Sequence, residues 1–133
     1  MSSLTLDEWI IYLLLEGVTS YLQVWQLLGN AREDLAKAVY CRLLQIRTKV
    51  TAGYTYQGAP PTGSRIDKVL TNDEWFILLL LFGTQNYNAQ HVLQRIRADI
   101  VFCQTAFDRY VDIHVRYERG WRAHADPSIT SPN

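Results

Sequence analysis

Cysteine is scarce in this chain. Cys41 and Cys103 are the only two, too few for a disulfide framework or a cysteine-built zinc site, and both are expected as buried free thiols. Charge of either sign is not in excess. Lys plus Arg and Asp plus Glu each number 13, whereas a dedicated non-specific nucleic-acid binder is normally basic. Long hydrophobic runs are missing as well. The longest, Trp75 to Phe82, falls far short of the ~20 residues that cross a bilayer. The opening Met1-Ser2-Ser3 meets acidic residues by Asp7, so no signal peptide is expected. A soluble, intracellular protein without a membrane partner is the expectation. The apolar content, 48% of 133 residues, is enough to build a core without staples.

One stretch occurs twice. Leu4-Thr5-Leu6-Asp7-Glu8-Trp9 returns as Leu70-Thr71-Asn72-Asp73-Glu74-Trp75, each followed by an apolar run and then a glycine, Gly17 or Gly83. Every position has a physical reading. Thr5 can cap a helix through the Glu8 N–H while Glu8 reaches back to the Thr5 N–H, which is a capping box. Leu4 and Trp9 occupy the two positions of a hydrophobic staple. Asp7 and Glu8 put negative charge where the helix dipole favours it. Thr71, Glu74, Leu70, Trp75 and Asp73 repeat each role. The motif therefore reads as a helix-starting device rather than a catalytic or metal-binding signature.

Periodicity then sets out the elements. The first helix is expected over Leu6 to Glu16, with Gly17 just past its end. A second starts at Tyr21 behind Ser20 and Gln23 and stops at Gly29-Asn30. A third runs from Ala31 to Val50 on a stripe of Leu35, Val39, Leu43, Ile46 and Val50. From Thr51 to Lys68 glycine, proline and alternating Thr/Tyr exclude helix, leaving an irregular linker or a hairpin-like flap. The series then restarts with a helix over Asn72 to Phe82. Another follows behind Asn86 or Asn88, and a last one spans Asp99 to Arg119. Phe102, Ala106, Tyr110, Ile113 and Tyr117 each stand 67 residues after the stripe of the third helix. The same offset relates Arg109 to Arg42, and Gly120-Trp121 to Gly53-Tyr54. The expectation is an all-α, internally duplicated six-helix domain. Residues 1–66 form one three-helix repeat with its flap, and 67–133 form a second with a C-terminal tail, packed as one compact domain.

Tyr40 and Leu44 lie away from the stripe of the third helix, and Phe107 and Val111 hold the matching positions. Their apolar character predicts that the repeats pack through their third helices, the alternative being self-association into a homo-oligomer or a partner surface.

Chemistry lacks raw materials. His91, His114 and His124 are isolated, without His-Glu-x-x-His or Cys-x-x-Cys spacing, and the glycine-rich loop lacks Gly-Lys-Ser/Thr. Asp108 and Asp112, flanked by Arg109 and Arg116, read as an ion-pair face. No catalytic residue, metal site or cofactor is assigned, and the chain is read as a non-enzyme. Tyr, Trp and Arg favour protein contacts. The expected function is a protein-interaction or regulatory module (adaptor, inhibitor or assembly component) with Arg116, Tyr117, Arg119, Trp121 and Arg122 as the partner-binding surface. The alternative rests on element order. Three helices followed by a Gly/Tyr-rich flap resemble the layout of a winged helix, which implies nucleic-acid contacts by Arg42, Arg47, Lys49 and Arg65. Against it stand the apolar and acidic residues on the expected recognition faces.

Overall fold

The computed structural model describes residues 3–61, 63, 67–82 and 100–123. It is mostly helical. A short strand β1 (Ser3–Leu4) leads into α1 (Leu6–Leu14), α2 (Tyr21–Leu27) and α3 (Glu33–Thr51), and β2 (Thr55–Tyr56) follows. After the loop come β3 (Val69–Leu70), α4 (Asn72–Phe82), α5 (Ile100–Glu118) and β4 (Arg122–Ala123). The expected helix behind Asn86 or Asn88, Arg65, His91, His124 and the tail from Ala125 lie outside the described residues. Among the described residues no helix is long and apolar enough to cross a membrane.

Both long apolar helices start on the expected device. Thr5 donates its N–H to Glu8 Oε1 at 2.9 Å and accepts the Glu8 N–H on Oγ1 at 3.1 Å. Thr71 and Glu74 make the same two bonds at 2.9 and 3.1 Å. The box satisfies amides that have no partner within the helix. At α2, Gln23 Oε1 reaches back to accept from the backbone of Thr19 at 2.6 Å and of Ser20 at 3.2 Å.

The ends obey equally local rules. After α3 the Tyr54 N–H bonds to the Lys49 carbonyl at 2.9 Å, and after α5 the Trp121 N–H bonds to the Arg116 carbonyl at 3.0 Å. This closure needs a left-handed residue in between. Gly53 (φ +101) and Gly120 (φ +102) supply it, and each thereby fixes the aromatic side chain that follows.

The stretch after α3 is non-helical as expected where it is described, but its strand β2 belongs to no hairpin. β2 pairs in parallel with β1, Ser3 opposite Thr55 and Leu4 opposite Tyr56. β4 pairs in parallel with β3, Val69 opposite Arg122 and Leu70 opposite Ala123. Each two-residue bridge ties the chain after a long helix to the chain before the preceding apolar one. Leu4 and Leu70, both fully buried, anchor the inner strands.

The core lies between α1 and α4, which pack on each other, with α3 beside α1, α2 on α3 and α5 on α4. Ile10, Ile11 and Leu15 on one side and Phe76, Ile77, Leu78, Leu80 and Leu81 on the other are buried. Enclosure by neighbours explains why both helices are apolar on nearly every face. This corrects the expected contact through the third helices. Leu44 and Val111 remain 43% and 39% exposed. Tyr40 turns sideways, its hydroxyl donating to the Thr19 carbonyl at 2.9 Å, and Phe107 is half-buried against the core. The helices richest in large aliphatics take the centre because they bury the most apolar area. A second correction concerns the thiols. Cys41 is exposed on the outer face of α3 and Cys103 is half-buried.

Thr5→Ala and Thr71→Ala each remove one hydroxyl cap without touching the core. Each is expected to lower unfolding free energy by about 1 kcal/mol, read from urea denaturation followed by circular dichroism.

Candidate functional site

Charged residues at the starts of α1 and α4 are drawn into the core. Asp7, Glu8 and Glu74 are almost fully buried, as are Arg42 of α3 and Arg109 of α5. Arg109 donates from Nε to Asp7 Oδ1 at 2.8 Å and from Nη2 to Asp7 Oδ2 at 2.9 Å. The same Nη2 reaches Glu74 Oε2 at 2.7 Å. Arg42 mirrors this arrangement. Its Nε and Nη2 grip Asp73 at 2.8 Å each, and Nη2 reaches Glu8 Oε2 at 3.0 Å. Each arginine thus holds the glutamate of its own segment and, bidentately, the aspartate of the other. Lys49 closes one end on Glu8 Oε2 at 2.6 Å, and Arg116 closes the other on Glu74 Oε2 at 2.9 Å. Asp112 accepts from both Arg109 and Arg116 at the rim.

Sequence reasoning missed this cluster, although a signal was there. Arg42 stands three residues after Val39 and four before Ile46, and Arg109 has the same relation to Ala106 and Ile113. A charge on a buried stripe requires buried counter-charge, and the twice-used Asp-Glu pair is the obvious source.

The electrostatics follow from the packing. Burial works to raise the Glu8 carboxyl, but the Lys49 ammonium, the Thr5 amide and Arg42 together hold it below the ordinary glutamate range. Burial pushes the more enclosed Asp7 up, against the pull of Arg109. Burial also opposes the charge on Arg42 and Arg109, and their carboxylate partners more than compensate, so both guanidinium groups stay charged. Both carboxylate oxygens of Asp7, Glu8, Asp73 and Glu74 have donors, which makes the arrangement tolerable at low dielectric. It braces the start of α1 against the start of α4.

The nucleic-acid candidates divide accordingly. Arg42 is committed to Asp73 and Glu8, Lys49 bonds Glu8, and Arg47 Nη2 donates to the Leu15 carbonyl at 3.2 Å. Arg65 lies outside the described residues. The exposed face of α3 carries Lys37, Cys41, Leu44, Thr48 and Thr51, and Lys37 sits over the Tyr21 ring at 4.9 Å. On α5 the exposed face carries Val101, Gln104, Asp108, Val111, Asp112 and Val115.

No family model matches the chain. No curated protein and no solved structure matches it either. The site must be read from its own geometry.

The protein-contact candidates come together as one surface at the end of α5. The Arg116 guanidinium carbon lies 5.3 Å from the Trp121 ring centre, and that of Arg122 lies 4.3 Å from the Tyr117 ring. Tyr117 leans on Trp75 at 6.0 Å and His114 at 6.5 Å. Arg122 Nη1 also donates to the carbonyls of Tyr117 at 3.0 Å and Trp121 at 2.7 Å. Arg119 is exposed beside them. The first segment has a reduced counterpart, Lys49 over the Tyr54 ring at 5.9 Å. A second aromatic group, Trp9 stacked on Tyr12 at 5.2 Å with Tyr56 beside it, spans α1 and β2.

Arg109→Ala strands Asp7 and Glu74 without their cation and is expected to cost about 3–5 kcal/mol. Arg32→Ala removes an exposed pair with Asp34 and should cost under about 1 kcal/mol. Thermal unfolding of the two variants tests the contrast. Because Glu8 is held low, its charge stabilises the fold above the ordinary glutamate range, and that contribution disappears as pH falls through its folded value. Glu8→Gln should therefore lower stability at neutral pH by about 2 kcal/mol. The gap to wild type should narrow toward acid, which urea midpoints measured across the pH range would reveal.

Proposed function

We propose that this chain is a small, soluble, intracellular protein-interaction or regulatory module without enzymatic activity of its own. Its frame is a duplicated three-helix unit. The duplication is supported by the matched capping boxes, the two parallel strand bridges and the reciprocal arginine brace, all at an offset of 66 or 67 residues. In this reading residues 1–66 and 67–133 are the two copies, joined into one domain through α1 and α4.

One observation carries the functional reading. The outward faces of α3 and α5 present Leu44, Val101, Val111 and Val115, while the arginines on those helices turn inward or stack on rings. A surface that meets phosphate needs the reverse distribution. Apolar side chains at a helix face, with an arginine–aromatic patch at its end, suit contact with another protein. The partner is another protein or a second copy of this chain.

A tandem winged-helix reading keeps one point in its favour, the strand that directly follows α3. That strand is two residues long and tied back to β1, so it does not project as a wing. The acidic Asp108 and Asp112 on the outer face of α5 also oppose nucleic acid.

Leu44→Asp and Val111→Asp alter exposed positions. They are expected to leave the unfolding free energy within about 0.5 kcal/mol of wild type while abolishing capture of a protein partner in affinity purification with mass spectrometry. Sedimentation velocity on the same variants shows whether that partner is a second copy. Salt-sensitive mobility shift of a random-sequence DNA duplex at micromolar protein, lost on Arg47→Ala, would replace this reading with the nucleic-acid one.

A further inference from the structure

Arginine edges distinguish one point of the surface from all others described. In the core, Arg42 and Arg109 each take an aspartate side-on through Nε and Nη2, at 2.8–2.9 Å. That edge matches the two oxygens of a carboxylate and is the stronger, more specific mode of binding it. Arg116 is engaged by Glu74 and Asp112. Arg122 differs. Its Nη1 is held by two backbone carbonyls and its plane by the Tyr117 ring. Its own amide is pinned to the Lys68 carbonyl at 3.2 Å through the β3–β4 bridge. Among the described residues its Nε–Nη2 edge makes no hydrogen bond, and the residue is exposed. Arg119 nearby is also exposed and makes no side-chain hydrogen bond or ion pair among the described residues.

We infer that Arg122, assisted by Arg119, is the anchor of a binding site for a short acidic peptide segment, one Asp or Glu carboxylate lying on its Nε–Nη2 edge. This rests on the interaction-module reading and names its partner's chemistry. The guanidinium is already fixed in plane and position, so less side-chain freedom is lost on binding than for a free surface arginine. Trp121, Tyr117 and Trp75 are half-buried around it, an apolar flank for the residue beside the bound carboxylate. Charge favours a peptide over a nucleic acid. Glu118 and Asp112 on the same helix are exposed, and they repel an extended polyanion while leaving room for a single carboxylate. At the position matching Arg122 the first segment has Thr55, so the site is a property of the second segment alone.

The test pans a random-peptide phage library on the full chain and measures enriched peptides by fluorescence polarisation. Enriched sequences should contain Asp or Glu. Arg122→Ala should weaken them at least about tenfold, with Arg122→Lys restoring only part and Arg119→Ala giving a smaller loss. Replacing the peptide's acid by its amide should match the loss from Arg122→Ala, and Arg32→Ala should change nothing. Unchanged circular dichroism and melting of Arg122→Ala excludes a folding effect. Enriched peptides without an acid, or acidic peptides indifferent to Arg122→Ala but lost with Leu44→Asp or Val111→Asp, overturn this site and leave the module reading standing. Enrichment of no peptide overturns both. A random DNA duplex that displaces the peptide at equal affinity and near-physiological salt overturns the site in favour of nucleic acid.

Discussion

Two arginines, each gripping a carboxylate from the far segment and one from its own, set the terms for the rest of this structure. Arg109 contacts both Asp7 and Glu74, so the first turns of α1 and α4 must lie within reach of a single guanidinium group. Arg42 imposes the same condition from the opposite side. Between them they fix how the two central helices approach, while the aliphatic side chains of those helices supply the non-directional attraction. The acidic residues thereby do three things at once. They cap or charge a helix start, neutralise a buried arginine and join the segments. Substitution at any of them disturbs local and long-range structure together.

Such a brace is a poor source of net stability, because desolvating the ions offsets most of their attraction. Its consequence is positional. Hydrophobic packing alone would tolerate sliding of α1 along α4, whereas bidentate pairs tolerate very little. A well-fixed frame in turn fixes what projects from it. The Gly53 and Gly120 turns follow helices whose inner faces are locked by the brace, and Lys49 and Arg116 belong both to the brace and to the stacked pairs at those turns. The arginine–aromatic surface is therefore continuous with the core charge network. Inward-facing arginines also explain why a chain with balanced charge presents a helix face that is apolar and acidic instead of basic.

Legibility in the sequence tracked the range of the physics. Capping boxes depend on residues three apart, and both were placed correctly, as was the start of α2 behind Ser20. The apolar stripe of α3 and its partner on α5 depend on helical spacing, and Val39, Leu43, Ile46, Ala106 and Ile113 are all buried. The residues near the end of α5 do converge in space, since helix spacing and one glycine turn bring Tyr117, Trp121 and Arg122 together. What failed was the partner of each face. Tyr40 and Leu44 are apolar and lie off the stripe, which points to the other segment or to self-association without choosing between them. In fact α1 and α4, apolar all round, had the greater need of each other. Arg42 enters the functional reading of the sequence only as a nucleic-acid contact of the winged-helix alternative, although its place in the stripe marks it as buried. The stretch after α3 was read from its composition, which carries no trace of the distant strand it bonds.

Local chemistry by itself determined where helices begin and end, which faces are apolar and that the chain carries the same signals twice, because each of these is decided by residues within a turn or two of one another. Only tertiary structure decided which surfaces meet. Pairing Arg109 with Asp7 joins residues 102 positions apart. An aspartate beside a glutamate at a helix start looks the same whether it faces water or a guanidinium group. The opening motif is thus a helix start when read in the chain, and half of an ion pair only once the other segment is in place.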